Sequence, residues 1–424
     1  FAQPPRPLGP VVPHPVAFAG ITSLNKRENI ACVLSDSEED ALVLSEPASI
    51  AWLLNIRGSD VSSTPLALCY AIVHQTGRID WFIDPRKLTV DAQNSLDACV
   101  KVFGPDGFVE GLAALGEAGK KIRLDFKKAP EAVRLVLEQA GASIVDGMDH
   151  CALPKAKKNI VEIAGARSAH IRDGVAVTSF LAWLSQIMRD RRVTEIEAAK
   201  KLSTFRKFDS KFRGHSFNTI SGSGPNGAIV HYNASPDTDR YLSNGDLYLV
   251  DSGAQYLDGT TDITRTVCID VGKGNGVSLE IRERYTRVLK GHIAIAAARF
   301  PKGTCGSQID ALARLALWEE GLDYDHGTGH GVGSYLGVHE GPQRISKQGG
   351  SVPLEPGMIL SNEPGYYQEG AYGIRIENLV VVTESANTLG ISKRDMLQFE
   401  TITLVPIDRN LVVPEFLSYR VIFH

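Results

Sequence analysis

Along the first third of the chain, apolar positions come in short runs broken by Gly, Pro and charged clusters. Residues 41–45 and 66–74 read as strands, 81–83 closes a hairpin after a turn at 75–78, and 130–140 reads as a helix stopped at Gly141. Further on the spacing lengthens to that of a helix: Val177, Leu181, Leu184 and Met188 follow one another at 4-3-4 intervals. Thr194 and Glu197 form a capping-box signature that opens a second helix. Two more helices are predicted over about 279–299 and 307–320, the latter ended by Gly321. Strand pairs with glycine-rich turns lie between and after them. The pattern predicts an α/β first half and an α+β second half, with antiparallel hairpins and helices packed on one face. No repeat of fixed period is present.

Composition narrows the function classes. A length of 424 residues exceeds what one hydrophobic core serves, so two domains are expected. Apolar residues at 43% and charged residues at 22% are those of a globular protein. A net charge of −4 with no long basic face argues against a nucleic-acid partner. No apolar run approaches the length of a membrane span, and the N-terminus lacks the organisation of a secretion signal. The six cysteines show no C-x-x-C spacing, which points to reduced thiols and a cytoplasmic protein. The chain starts at Phe1 and carries six prolines within its first fifteen positions, so residues 1–17 are expected to be an extended linker whose upstream part is missing. Glu38, Glu39 and Asp40 are expected to cap or solvate a surface. Lys155, Lys157 and Lys158, after Pro154, read as an exposed interdomain connection.

The second half carries the chemistry. Asp251 interrupts an apolar strand over 247–255, a turn at Asp258-Gly259 follows, and Asp262 opens the returning strand 263–269. The separation, 262 − 251 = 11 residues, lets a hairpin bring both carboxylates to one place. Glu363 and Glu377 repeat the arrangement across the loop 368–372, 377 − 363 = 14 residues apart, as if around an approximate two-fold. Any one of these acids could be solvated or salt-bridged. Several buried together, among Leu249, Val250, Ile374, Ile376, Leu379 and Val380, repel unless cations neutralise them. His326 and His330 stand four apart, but Gly327, Gly329, Gly331 and Gly333 interleave them, so an extended segment is predicted. One imidazole can then ligate while the other faces substrate.

Four oxygen donors and one nitrogen, from Asp251, Asp262, Glu363, Glu377 and His330, suit two divalent ions. Mn²⁺ comes first, with Co²⁺, Zn²⁺, Fe²⁺ or Mg²⁺ as alternatives. Two dications carry +4 against −4 from the acids, so a bridging hydroxide leaves the cluster near −1 and close to neutral-pH reactivity.

The segments GPNGAIVHY (224–232), LVDSGAQYLDGTTDITRT (249–266), LDYDHGTGHGVG (322–333), VHEGP (338–342), EPGYY (363–367) and GIRIEN (373–378) together resemble the M24 metallopeptidases. Within them the chain is most similar to the large, cytosolic, three-domain Xaa-Pro aminopeptidases. The resemblance implies a creatinase-N-like α/β domain at 18–153 and a pita-bread catalytic domain at 154–408. It also implies that the family's first domain is absent, and that the tail 409–424 is truncated or foreign. Carried over motif by motif, it implies metal ligation by Asp251, Asp262, His330, Glu363 and Glu377, and proton transfer by Glu363. It places His231 and His339 beside the scissile carbonyl, His326 at the proline pocket, Arg375 near the substrate, and Tyr366 and Tyr367 packed around the site.

The activity expected is removal of the N-terminal residue from peptides with proline second, by attack of a metal-bridging hydroxide, in a homodimer. The alternatives are a prolidase confined to Xaa-Pro dipeptides and a pita-bread binding module without catalysis.

Overall fold

The computed structural model describes residues 4–270, 277–385 and 394–417. Residues 1–3 of the expected linker and 418–424 of the expected tail lie outside the described residues. The chain divides into two compact units, Phe1–Lys155 and Ala156–His424.

The first unit is built on a six-stranded sheet in the order Val100–Phe103, Ile79–Phe82, Tyr70–His74, Ala41–Leu44, Lys121–Leu124, Ser143–Asp146. All neighbours run parallel except Tyr70–His74, which is antiparallel to both of its partners. Ala41–Leu44 is buried at every position, as befits a central strand covered on both faces. One face packs on Phe108, Leu112 and Leu115 of the helix Gly107–Glu117 and on Val133 and Leu137 of Glu131–Gln139. The predicted strand 66–74 pairs only from Tyr70, because Asp60 ties the preceding loop by accepting the N–H of Leu68 and the ammonium of Lys87.

Three expectations change here. The proline-rich start is not a free tether from residue 11 on: Val12–Pro13 pairs with Ile56–Arg57, and Val11 bridges Leu88 and is fully buried. Proline suits such a two-residue edge, where no central ladder bond is lost. Glu39 is not a surface acid either. It is buried, with Arg123 at 2.5 Å and His150 at 2.8 Å. Of the basic stretch only Lys157 is exposed; Lys155 and Lys158 are buried, and Lys158 pairs at 2.8 Å with Glu340, whose side chain is enclosed.

In the second unit, Ile160–Asp190 opens on a capping box between Asn159 and Glu162. Its stripe Val177, Phe180, Leu184 and Met188 packs with Ala198 and Leu202 of Glu195–Arg206 on a three-stranded antiparallel sheet. That sheet runs Ile220–Ser223, Leu247–Ser252, Ile263–Cys268. Thr194 caps its helix by accepting the Glu197 N–H at 3.2 Å, but the Glu197 side chain turns to Arg191 and the box stays half-formed. A six-stranded sheet follows in the order Arg299–Pro301, Met396–Thr401, Asn378–Glu384, Ile359–Asn362, Gly329–Gly331, Glu340–Ile345. The helices Leu279–Ala296 and Gly306–Trp318 pack against each other, Gly291 allowing the close approach. The Asp251/Asp262 strands lie in the three-stranded sheet, whereas Glu363 and Glu377 flank a separate two-stranded ladder, Gly365–Gln368 with Tyr372–Arg375, and adjoin Ile359–Asn362 and Asn378–Glu384 of the six-stranded sheet. Among the described residues no helix is long and apolar enough to cross a membrane.

Candidate metal centre

Strand register brings the acids together. Asp251 faces Thr264 across the hairpin, and Asp262 stands just before the returning strand at Ile263. Asn362 faces Asn378 and Gly365 faces Arg375, so Glu363 and Glu377 leave their ladders at the same level. His330 lies in Gly329–Gly331, next to the strand that ends before Glu363. Gly329 permits this approach: a Cβ there would sit 2.0 Å from the Ser361 carbonyl oxygen.

Three overlapping triplets result, Asp251–Asp262–Glu377, His330–Glu363–Glu377 and Asp262–His330–His339, each with ligand atoms within 4.8 Å of one another. All five expected ligands are brought together, and His339 joins them. Asp251, Asp262 and Glu377 are buried, and burial followed by the neighbouring negative charges pushes their carboxyls above the ordinary range. Asp251 Oδ1 is buried with no hydrogen-bond partner. Four carboxylates, an orphaned buried oxygen and one correctly turned imidazole fit a pair of divalent cations.

The imidazole is turned by its own backbone. His330 Nδ1–H donates to the Gly331 carbonyl at 2.9 Å, which leaves the Nε2 lone pair facing Asp262 and Glu363 at 3.5 and 3.4 Å. Glu363 is the most open of the four acids, its side chain 18% exposed against 11% for Asp251 and 4% for Asp262, with Glu377 buried. It accepts the Ser361 hydroxyl at 3.0 Å.

Arg375 does not face the opening. It is buried, with Nη2 on Asp251 Oδ2 at 2.6 Å, Nη1 on the Tyr367 hydroxyl at 2.7 Å and Nε on Thr264 Oγ1 at 3.2 Å. Thr264 in turn donates its hydroxyl hydrogen bond to Glu377 at 2.7 Å. Tyr367, already donated to by Arg375, donates to His326 Nε2 at 2.9 Å, since His326 Nδ1–H is held by the Gly327 carbonyl. His339 is exposed at its edge and stacks edge-on against His330 at 4.4 Å; partial burial of its ring, followed by the neighbouring His330, pushes it down to about 4. His231 is exposed and close enough to His339 to disfavour its protonation. The three imidazoles therefore border the open side. Tyr366 instead packs into the core beside Tyr285 and Tyr372.

Two buried ion pairs hold the segments that carry these groups, and neither was foreseen. Asp173 pairs with Arg206 at 2.7 Å and accepts the hydroxyls of Tyr256 and Thr261, both at 2.9 Å, while Arg206 donates to Ser252. The pair thus grips the chain on either side of the Asp251/Asp262 turn. Arg314 pairs with Asp310 at 2.7 Å and donates to the carbonyls of Tyr324 and His326 at 2.6 and 2.9 Å, clamping the glycine-rich loop. A signal existed for Asp173, which stands four residues before Val177 on the same apolar stripe. Arg314 likewise shares a helix face with Asp310 and Leu317.

Comparison with known proteins agrees with this geometry. Residues 164–384, just over half the chain, match metallopeptidase family M24, and residues 2–162 match the creatinase/prolidase N-terminal domain. A probable Xaa-Pro aminopeptidase P of Paracoccidioides brasiliensis is 41% identical over 430 residues, 98% of this chain and 69% of that protein. An X-prolyl aminopeptidase of Caenorhabditis elegans, described as a cytosolic enzyme with a di-nuclear active site, superposes with a TM-score of 0.93 at 36% identity. That superposition covers 99% of this chain and 68% of that one. An Xaa-Pro dipeptidase of Bacillus anthracis shares the fold, with a TM-score of 0.70 at 23% identity over 91% of this chain and 99% of its own. The chain thus spans about two thirds of the length of its aminopeptidase relatives. With a creatinase-type α/β domain leading into a pita-bread domain, it belongs to metallopeptidase family M24.

Proposed function

We propose that this chain is a metal-dependent Xaa-Pro aminopeptidase, hydrolysing the bond between an N-terminal residue and a following proline. The observation that carries this reading is the convergence of Asp251, Asp262, His330, Glu363 and Glu377 into triplets whose ligand atoms lie within 4.8 Å, bordered by His231, His326 and His339. These five side chains would hold two divalent cations, Mn²⁺ before Co²⁺, Zn²⁺, Fe²⁺ or Mg²⁺, because oxygen donors predominate. When bound, the cations supply Lewis acidity toward the attacking water and the scissile carbonyl.

The chain's own groups do the rest. Glu363, the more exposed carboxylate, takes a proton from the attacking water and delivers it to the departing proline nitrogen. His231 and His339 donate hydrogen bonds to the carbonyl oxygen as it gains charge, an effect worth about 3 kcal/mol per well-placed donor. His326, held by Gly327 and Tyr367, walls the space for the proline ring. That nitrogen carries no hydrogen, so a site that grips an amide N–H at this position would not select it. The cytosolic relative and the family resemblance support a cytoplasmic homodimer.

Glu363→Gln keeps the shape and removes the base. Turnover of an Xaa-Pro-Xaa tripeptide is expected to fall by roughly 10²- to 10⁴-fold; near-wild-type turnover would remove Glu363 from this role. Comparing the tripeptide with an Xaa-Pro dipeptide decides against the prolidase reading if the tripeptide is preferred. Failure of the purified chain to bind two equivalents of metal would leave only a binding module.

A further inference from the structure

Glu363 and Glu377 leave neighbouring strands paired at Asn362 and Asn378, and one buried group lies against both of those asparagines. Glu363 follows Asn362, the last residue of Ile359–Asn362, and Glu377 precedes Asn378, the first residue of Asn378–Glu384. His292, buried on the helix Leu279–Ala296, touches both asparagines. Its Nδ1 is 3.1 Å from the Asn362 carbonyl, and its Nε2 is 3.1 Å from Asn378 Nδ2. Asn362 closes the clasp by donating from its side chain to the His292 carbonyl at 2.9 Å. On the far side of Asn378 stands Arg265, fully buried. It donates to Asn378 Oδ1 at 2.8 Å, to the Glu377 carbonyl at 2.7 Å and to the Thr264 carbonyl at 2.8 Å.

The proton order along this chain has one solution. A guanidinium can only donate, so Asn378 turns its oxygen to Arg265 and its amide hydrogens to His292. His292 Nε2 must then accept, Nδ1 must carry the proton, and the Asn362 carbonyl receives it. The imidazole is neutral: burial, helped by the charge of Arg265, pushes it down to about 3. None of these side chains is in the metal-ligand triplets, so their influence on the cluster passes through the backbone of Glu363 and Glu377.

We propose that Arg265, Asn378, His292 and Asn362 form one brace that fixes the separation of Glu363 and Glu377, with His292 as the positioning residue at its centre. The inference rests on the reading of those glutamates as metal ligands. Ordinary core packing would also place a satisfied histidine here, and the two roles differ in what metal binding feels. A packing role costs stability equally with and without metal; a brace costs metal affinity.

The test uses the whole chain, stripped with chelator, melted alone and with Mn²⁺, with Mn²⁺ affinity measured by competition against a fluorescent chelator. His292→Phe keeps a ring of similar volume and removes both bonds. Mn²⁺ affinity is expected to fall about 10- to 100-fold. The rise in melting temperature on adding Mn²⁺ should shrink accordingly, and kcat should fall with little change in KM. Asn378→Leu should show the same pattern, and the double variant should add little to either, as for links of one chain. Mn²⁺ affinity within about twofold of wild type, with equal losses of melting temperature in both forms, would overturn the brace. If His292→Phe does not fold, Asn378→Leu decides alone on the same criteria. Absence of Mn²⁺ uptake by the wild-type chain is a different result: it overturns the metal reading itself.

Discussion

At the scale of single residues, the least expected placement is that of Arg375. The family resemblance put it near the substrate, but its guanidinium is buried behind the cluster, on Asp251, Tyr367 and Thr264. The planar fork explains why arginine stands here: three acceptors at fixed angles are bridged by one rigid group. Burial opposes its charge, yet Tyr367, Asp251 and Glu363 around it hold the guanidinium firmly protonated. Lysine would keep the charge and lose the geometry. Arg375→Lys is therefore expected to lower kcat/KM for an Xaa-Pro tripeptide by roughly 10- to 100-fold at saturating metal. A value near that of wild type would reduce Arg375 to packing.

At the scale of elements, what could be read from the sequence was what neighbours in sequence decide. The Asp251/Asp262 hairpin and the Glu363/Glu377 hairpin are both closed by short glycine-containing turns, which bring each pair of acids close in space because they are close in sequence. The glycine-interleaved histidine loop was legible for the same reason. Pairings between distant segments were not, since no local period encodes that Gly329–Gly331 lies between Ile359–Asn362 and Glu340–Ile345. The braces were hidden because Asp173 and Arg206 are 33 residues apart and Arg265 and Asn378 are 113 apart. Nor did the sequence reveal how closely Leu279–Ala296 and Gly306–Trp318 pack. A Cβ on Gly291 would lie 2.0 Å from the Ala313 carbonyl oxygen. Gly291→Ala gains about 1 kcal/mol of helix propensity, but separating the backbones costs about 1–3 kcal/mol or more. The variant is expected to melt below wild type and, by moving His292, to bind Mn²⁺ more weakly. A higher melting temperature would show that the helices part freely.

At the scale of the whole molecule, each unit buries a neutral histidine, His14 in the first and His292 in the second, and this shapes the response to acid. Burial, followed by the nearby cations Arg57 and Lys26, pushes His14 down to about 2. An unfolded chain returns that imidazole to about 6.5, so between the two values the unfolded state binds the extra proton. The stability His14 permits is complete above about pH 6.5 and is lost as pH falls below it, by about 1.4 kcal/mol per pH unit. The second unit responds less simply, because without metal its raised carboxyls at Asp251, Asp262 and Glu377 favour folding as pH falls, against His292. In the first unit burial also raises the Asp149 carboxyl, and the lowered carboxylates, Glu39, Asp40 and Asp80 among them, withdraw stability only below the ordinary carboxylate range; wild type and a His14 variant share these groups, which cancel in their difference. His14→Gln removes the titration whatever it does to stability at neutral pH. Urea unfolding between pH 6.5 and pH 5 should then show wild type losing roughly 2 kcal/mol more than the variant. Equal losses would mean that the imidazole of His14 already reaches water in the folded chain.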